Sequence, residues 1–356
     1  MKGSALKKIC RMEKISLIAL LLAALGVLVI VVSTNANTAD SKTATIRRVI
    51  VDVDAGPDDA WAVYHLLKTP GVHVEAISCV RGNSNVTNVG RNVLRILTAI
   101  GKEGEIPVYL GSNERLITHA RMVEPENMYF GSDGFSDIQF EGSPPDMSLL
   151  RSDALTELFK LIGRYRNEIT FISLGPLTNL ALLFKVYPDT RQWIKELYIM
   201  GGNRHGVGNT QNAAEFNFFN DPEAASIVIN GYLGNINILP WETASRDNLV
   251  MNQTWRFDVL GNSNNPVVQI LNPVERKPLG ENDNWMPCDV LVAMSFTHPD
   301  LVIERKRYPA DVELHGWLTR GQLVLDHGNE GTGNVTIIDN METAGVVKIL
   351  MHLASV

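Results

Sequence analysis

The chain has 356 residues, 45% hydrophobic and 20% charged, enough apolar material for a large core and too much for a disordered or collagen-like polymer. Its formal charge is -7, and the first 36 residues carry five cations against one anion, so the remainder stands at -11. Such a body repels polyanions, and no Lys/Arg block interleaved with aromatics follows the leader, which excludes nucleic acid as a partner.

In chain order, Ile15 to Val32 is an unbroken stretch of apolar and small residues preceded by Lys7, Lys8, Arg11 and Lys14, the pattern of an export signal. Thr34-Asn35-Ala36 offers a cleavage site, so residues 1–36 are expected to be a signal peptide of a secreted protein, or else a retained signal anchor on a membrane. Residues 37–45 are small and polar and read as a linker; residues 46–356 are expected to form a single domain. The three cysteines give no disulfide framework: Cys10 lies in the leader, Cys79 in a strand-like run, and Cys288 beside an aspartate. Asn85, Asn252 and Asn334 open glycosylation sequons, which an Asn-rich chain yields by chance.

From Arg48 the hydrophobic period alternates between two and 3.6. Strands are expected at 48–53, 74–80, 107–110, 169–174, 197–200 and 236–239, and helices at 58–67, 89–100, 153–165, 177–187 and 222–230. Asp221 as cap and Pro222 in the first turn mark the start of the last of these helices. Residues 247–286 are polar, Asn-rich and weakly periodic, as in an insertion or a mobile lid, and 302–356 reads as further strands with a last helix from Met341. The order predicts an α/β fold: an open, mostly parallel (mixed) sheet with helices on both faces.

The densest chemistry lies in Val51-Asp52-Val53-Asp54-Ala55-Gly56-Pro57-Asp58-Asp59-Ala60, where a strand gives way to a helix and four carboxylates fall within eight residues. Alternation puts Asp52 and Asp54 on one side of the strand end, and the Gly-Pro turn swings Asp58 and Asp59 back toward the crevice where open α/β sheets bind ligands. Anions so crowded raise one another's pKa unless a cation neutralises them, and a hard divalent metal is the simplest cation for the task. Helix capping needs one acid and explains neither Asp52 nor the spacing. A haloacid-dehalogenase-type phosphotransferase also begins strand-Asp-x-Asp, but wants Thr or Val where Gly56 stands.

From about Arg48 to the carboxy-terminus the chain resembles the inosine-uridine preferring nucleoside hydrolase family. Besides the aspartate cluster, the matching segments are Arg81-Gly82-Asn83-Ser84-Asn85, Ser173 to Asn179, Met200-Gly201-Gly202, Asn209 with Ala214-Glu215-Phe216-Asn217, Asp221 to Ala224, and Pro287-Cys288-Asp289. The resemblance implies a ribonucleoside hydrolase that cleaves the N-glycosidic bond with water activated by Asp54. It implies one calcium ion held by Asp54, Asp59, the backbone carbonyl of Leu174, and Asp289. Asp58, Asn83, Asn209, Glu215 and Asn217 match positions that grip the sugar hydroxyls, and Met200 one that lines the ribose. By the same analogy the chain is expected to form a homodimer or homotetramer.

The nucleobase end departs from the family. Well-known branches carry His or Trp before the metal-ligand aspartate, and here the residue is Cys288, a weak proton donor. Phe130 stands where the family often has His and is suited to stacking. Trp285, His205 and His298 are further candidates for the base pocket, although His298 precedes Pro299 at a helix end and His205 lies in a glycine-rich turn. Two rivals remain: a non-catalytic nucleoside or ribose-binding protein using the same crevice, and a metal-dependent phosphatase, for which no basic residue pairs with the acidic motif.

Overall fold

A run of seven residues, Arg47–Val53, has its last five fully buried, which requires cover on both faces and is the signature of a central parallel strand. The computed structural model, which describes residues 46–118, 129–280 and 284–356, supplies that cover. The expected leader and linker lie outside these residues; Ile46–Val356 forms one unit.

The body begins β1 (Arg47–Val53), α1 (Pro57–Lys68), β2 (Val72–Cys79), α2 (Val86–Ala99), β3 (Val108–Leu110), β4 (Leu150–Arg151) and α3 (Ala154–Arg164). It continues through β5 (Ile169–Ser173), α4 (Thr178–Val186), α5 (Thr190–Trp193), β6 (Glu196–Met200), α6 (Phe216–Asn220), α7 (Pro222–Gly231) and β7 (Ile236–Leu239). Then come α8 (Trp241–Ala244), β8 (Met251–Asn252), a π-helical turn at Trp255–Leu260, α9 (Pro266–Arg276), β9 (Asn284–Trp285) and α10 (Cys288–Thr297). The chain ends with β10 (Val302–Tyr308), β11 (Ala310–Val312), β12 (Leu323–Leu325), β13 (Val335–Met341) and α11 (Thr343–Ser355).

Nine strands form one sheet in the order β10-β13-β7-β6-β5-β1-β2-β3-β4. Every pair is parallel except the β10–β13 edge, so the sheet is mixed and mostly parallel, as the alternating pattern predicts. Alternate residues of β1 divide between two cores: Val49, Val51 and Val53 pack with Trp61, Val63 and Leu291 of α1 and α10, whereas Ile50 packs with Phe171, Leu180 and Val228 on the opposite face. No helix among the described residues is long and apolar enough to cross a membrane.

The structure corrects the reading of 247–286 as a weakly periodic insertion. Asn265 caps α9 by accepting from the N–H groups of Val267 and Val268, Pro266 opens it, and Val267, Val268, Leu271 and Val274 are buried against the core. An internal Pro273 and short polar stretches on either side obscure that amphipathic face in the sequence.

Candidate active site

β1 and β5 are neighbours at the centre of the sheet, and their carboxyl ends, with that of β6, open onto a cavity of about 510 Å³, the size range of small-molecule sites. The floor is built by tight turns. Ala55 adopts φ 42° and Pro57 starts α1, which bends the chain so that Asp58 and Asp59 fall in the first helical turn. Asp59 Oδ2 accepts from the Gly56 N–H at 2.8 Å and Oδ1 from the Asp54 N–H at 3.3 Å, locking the turn. Asp54 Oδ2 accepts from the Asn83 N–H at 2.9 Å. Gly82 makes this approach feasible, because a Cβ there would stand 1.9 Å from the same oxygen.

The downstream aspartate arrives on α10, a helix buried along its whole length, with Asp289 in its first turn. Carboxylate oxygens of Asp58, Asp59 and Asp289 lie within 4.8 Å of one another. Asp54 and Leu174 line the same cavity, Asp59 belongs to the cluster without lining the cavity, and the cluster contains Asp58, expected to grip the sugar, where Asp54 is expected as a ligand. Burial, the largest cause, pushes Asp54 up to about 6 and Asp58 to about 7, with the Asp54 charge adding to the rise at Asp58. Asp59 and Asp289 rise well above the ordinary carboxylate range through burial and then the repulsion of their neighbours. Asp58 Oδ1 is buried without a hydrogen-bond partner. Among the described residues lining the cavity there is no lysine, arginine or histidine. An orphaned oxygen amid uncompensated carboxylates fits a hard cation with oxygen ligands.

Asp52 corrects an expectation. It faces the Ile50 side below the crevice, where its Oδ1 accepts from Ser78 Oγ at 2.5 Å and Asn179 Nδ2 at 2.8 Å, and it does not line the cavity. It ties β1 to β2 and α4, and the strict strand alternation from Asp52 to Asp54 is broken by the turn.

The residues expected to contact the sugar, Asp58, Asn83, Met200, Asn209, Glu215 and Asn217, all line the cavity. Glu215 caps α6, accepting from the N–H groups of Asn217 at 2.8 Å and Phe218 at 3.1 Å, and from Gly202 N–H at 2.9 Å. Those bonds oppose a burial that raises its pKa to about 7. Asn217 Nδ2 donates to the Leu174 carbonyl at 2.7 Å and to the Met200 carbonyl at 3.2 Å, which fixes the amide over the ends of β5 and β6. Asn209 Oδ1 accepts from Phe216 N–H at 2.8 Å, returning the glycine-rich turn to the site.

Phe130, Trp285 and Cys288 also line the cavity, with Phe130 edge-on to Tyr129 at a centroid distance of 4.8 Å. Burial and the charges of Asp58 and Glu215 push the Cys288 thiol up, so it stays protonated. His205 and His298 do not line the cavity: His205 is exposed, and His298 closes the end of α10 and contacts Thr297, so neither is part of the base pocket. Sequence reasoning missed Trp241, two residues beyond β7, and Glu275, on α9. The position of Trp241 at the carboxyl end of a sheet strand was a usable signal; Glu275 had none, because α9 itself was not legible.

The family model described as "Inosine-uridine preferring nucleoside hydrolase" matches residues 49–348. The chain is 29% identical over 315 residues to the pyrimidine-specific ribonucleoside hydrolase RihA of Escherichia coli O1:K1, covering 85% of this chain and 96% of that one. Among solved structures it is similar to an inosine-guanosine nucleoside hydrolase, with a TM-score of 0.77, 26% identity, and coverage of 86% and 98%. It shares its fold with a purine-preferring ribonucleoside hydrolase from Gardnerella vaginalis, with a TM-score of 0.73, 21% identity, and coverage of 86% and 98%. With a buried carboxylate cluster at the strand ends and a family match over most of its length, this chain belongs to the inosine-uridine preferring nucleoside hydrolase family.

Proposed function

We propose that the chain releases free base and ribose from ribonucleosides in a calcium-dependent reaction in which Asp54 takes the proton from the attacking water. The observation that carries this reading is the convergence of Asp58, Asp59 and Asp289 within 4.8 Å beside Asp54, with Asp58 Oδ1 unpartnered. Asp54, Asp59, the Leu174 carbonyl and Asp289 would hold the ion, an irregular all-oxygen set that suits calcium better than the strict octahedron of magnesium. When bound, calcium supplies positive charge that orients a sugar diol and a water molecule and relieves the repulsion among the carboxylates.

The chain's own residues account for the rest. Breaking the N-glycosidic bond builds positive charge on the ribose ring, and Glu215 and Asp58, both held on the cavity wall, stabilise that charge more than the neutral substrate. Asn83, Asn209 and Asn217 are placed to fix the hydroxyls, and Met200 to fill space against the ring. Asp54, raised to about 6, is near the range where a carboxylate is both ionised and basic at neutral pH. Cys288 is a poor proton donor, so bond cleavage is driven from the sugar side while the rings of Phe130 and Trp285 receive the base. The cavity wall has no cation to hold a phosphate among the described residues, which disfavours a phosphatase.

The test is to incubate the protein with inosine, adenosine, uridine and cytidine, in calcium and then in chelator, and to measure free ribose. Ribose release in calcium that stops in chelator and returns on adding calcium is expected. Absence of ribose from all four would refute the reading, and phosphate release from nucleotides alone would favour the rival.

A further inference from the structure

Glu275 lines the cavity yet is only 3% exposed, and its hydrogen-bonding capacity is filled from within the protein. Its Oε1 accepts from Trp285 Nε1 at 2.9 Å and from Trp61 Nε1 at 3.2 Å. Its Oε2 accepts from Arg256 Nε at 2.7 Å and meets Arg256 Nη2. Arg256 is fully buried, its Nη1 donates to Asn272 Oδ1 at 2.9 Å, and its guanidinium carbon lies 5.4 Å from the ring centroids of both Trp61 and Trp285. The two indoles meet edge to face at 6.2 Å.

A buried ion pair is a costly way to obtain stability, since hydrophobic residues of the same volume usually serve as well. What this pair provides is direction. A carboxylate holding two indole N–H groups fixes the rotation of both rings, and the guanidinium behind it fixes the carboxylate and offsets part of its charge. Glu275 is already one of the charges that raise Asp58, behind burial and Asp54, and without the guanidinium its repulsion would be stronger. We infer that Glu275 and Arg256 are positioning residues for nucleobase binding, holding the Trp285 indole against the base so that affinity for the base depends on a pair that touches neither sugar nor water. This rests on the proposed nucleoside site and adds the device that shapes its base end.

The test compares wild type with Glu275→Gln, Trp285→Phe and the double variant Arg256→Met/Glu275→Leu, which keeps the volume apolar if single changes unfold the chain. Three quantities are read: KM for inosine and uridine, inhibition by free ribose as a report on the sugar end, and quenching of tryptophan fluorescence by free adenine. KM should rise and adenine affinity fall by about tenfold in the folded Glu275 variants, the size expected for losing the charged partner of an aromatic anchor, with ribose inhibition within about twofold of wild type. Trp285→Phe, which keeps a ring but loses the N–H, should give a similar loss. Unchanged adenine binding in a folded Glu275 variant overturns the inference, as does a loss of ribose inhibition as large as the loss for adenine. Adenine quenching needs no turnover, so a wild-type protein that binds adenine but hydrolyses no nucleoside would sink the proposed function while still deciding the role of Glu275.

Discussion

Asp289→Asn should separate stability from function at the acidic floor. Without a cation, Asp54 is pushed up to about 6 and Asp58 to about 7, which corresponds to roughly 3 and 4 kcal/mol at a pH where both are ionised. Because folding raises these pKa values, the sites favour the native state below about pH 4 and oppose it increasingly as pH climbs through 6 to 7. Burial is the larger cause and repulsion the smaller, so removing one charge should return about 1–3 kcal/mol at pH 8. For a folded body of this size that is a rise of about 1.5–5 °C in Tm. Melting is followed by circular dichroism in chelator and in excess calcium. In chelator the Asp289→Asn variant should melt higher than wild type; in calcium the order should reverse, because wild type gains from the ion and the variant has lost a ligand. If the variant melts lower than wild type in chelator, or if calcium leaves wild type unmoved, the electrostatic account of the site is wrong.

Asp54→Asn should keep the fold and lose turnover by about 10³-fold, read as ribose released per enzyme; near-normal activity would exclude Asp54 as the base. Gly82→Ala places a methyl 1.9 Å from Asp54 Oδ2, so the carboxylate must move, and kcat should fall at least about tenfold while circular dichroism confirms folding. His65 is buried against Thr297 Oγ1 at 2.7 Å, and burial first, then His298 and Arg47, lowers it to about 3. A His depressed in the folded state gives stability that is present above pH 6.5 and is lost as pH falls, about 2 kcal/mol by pH 5. In calcium, the urea midpoint should drop between pH 7.5 and 5, and His65→Gln should show a shallower drop.

The parts of the fold that can be read in advance are those where one period dominates. β1, β2, α7 and β7 are legible because β-branched runs or a strong cap announce them, and the sheet class follows from their alternation. The floor aspartates are legible because four acids in eight residues have few other uses. That Asp289 joins them can be expected only through the family resemblance, since nothing local to α10 points back across the chain to β1. Asp52 shows the limit of alternation: the pleat aims it toward the strand end but leaves it one layer too deep, under Asn179 rather than in the cavity. α9 escapes a sequence reading because Pro273 and flanking Asn residues break the apolar rhythm, and Glu275, Arg256 and their indoles go with it.

The cavity has two builders. Asp54, Leu174 and Met200 stand at the carboxyl ends of β1, β5 and β6, whereas Trp285, Glu275, Leu279 and Met286 come from one excursion between β7 and α10. If the proposed division holds, exchanging that stretch among relatives would alter much of the wall offered to the leaving base, Phe130 and Cys288 excepted, making the protein a natural chassis for retargeting a nucleosidase toward unnatural bases.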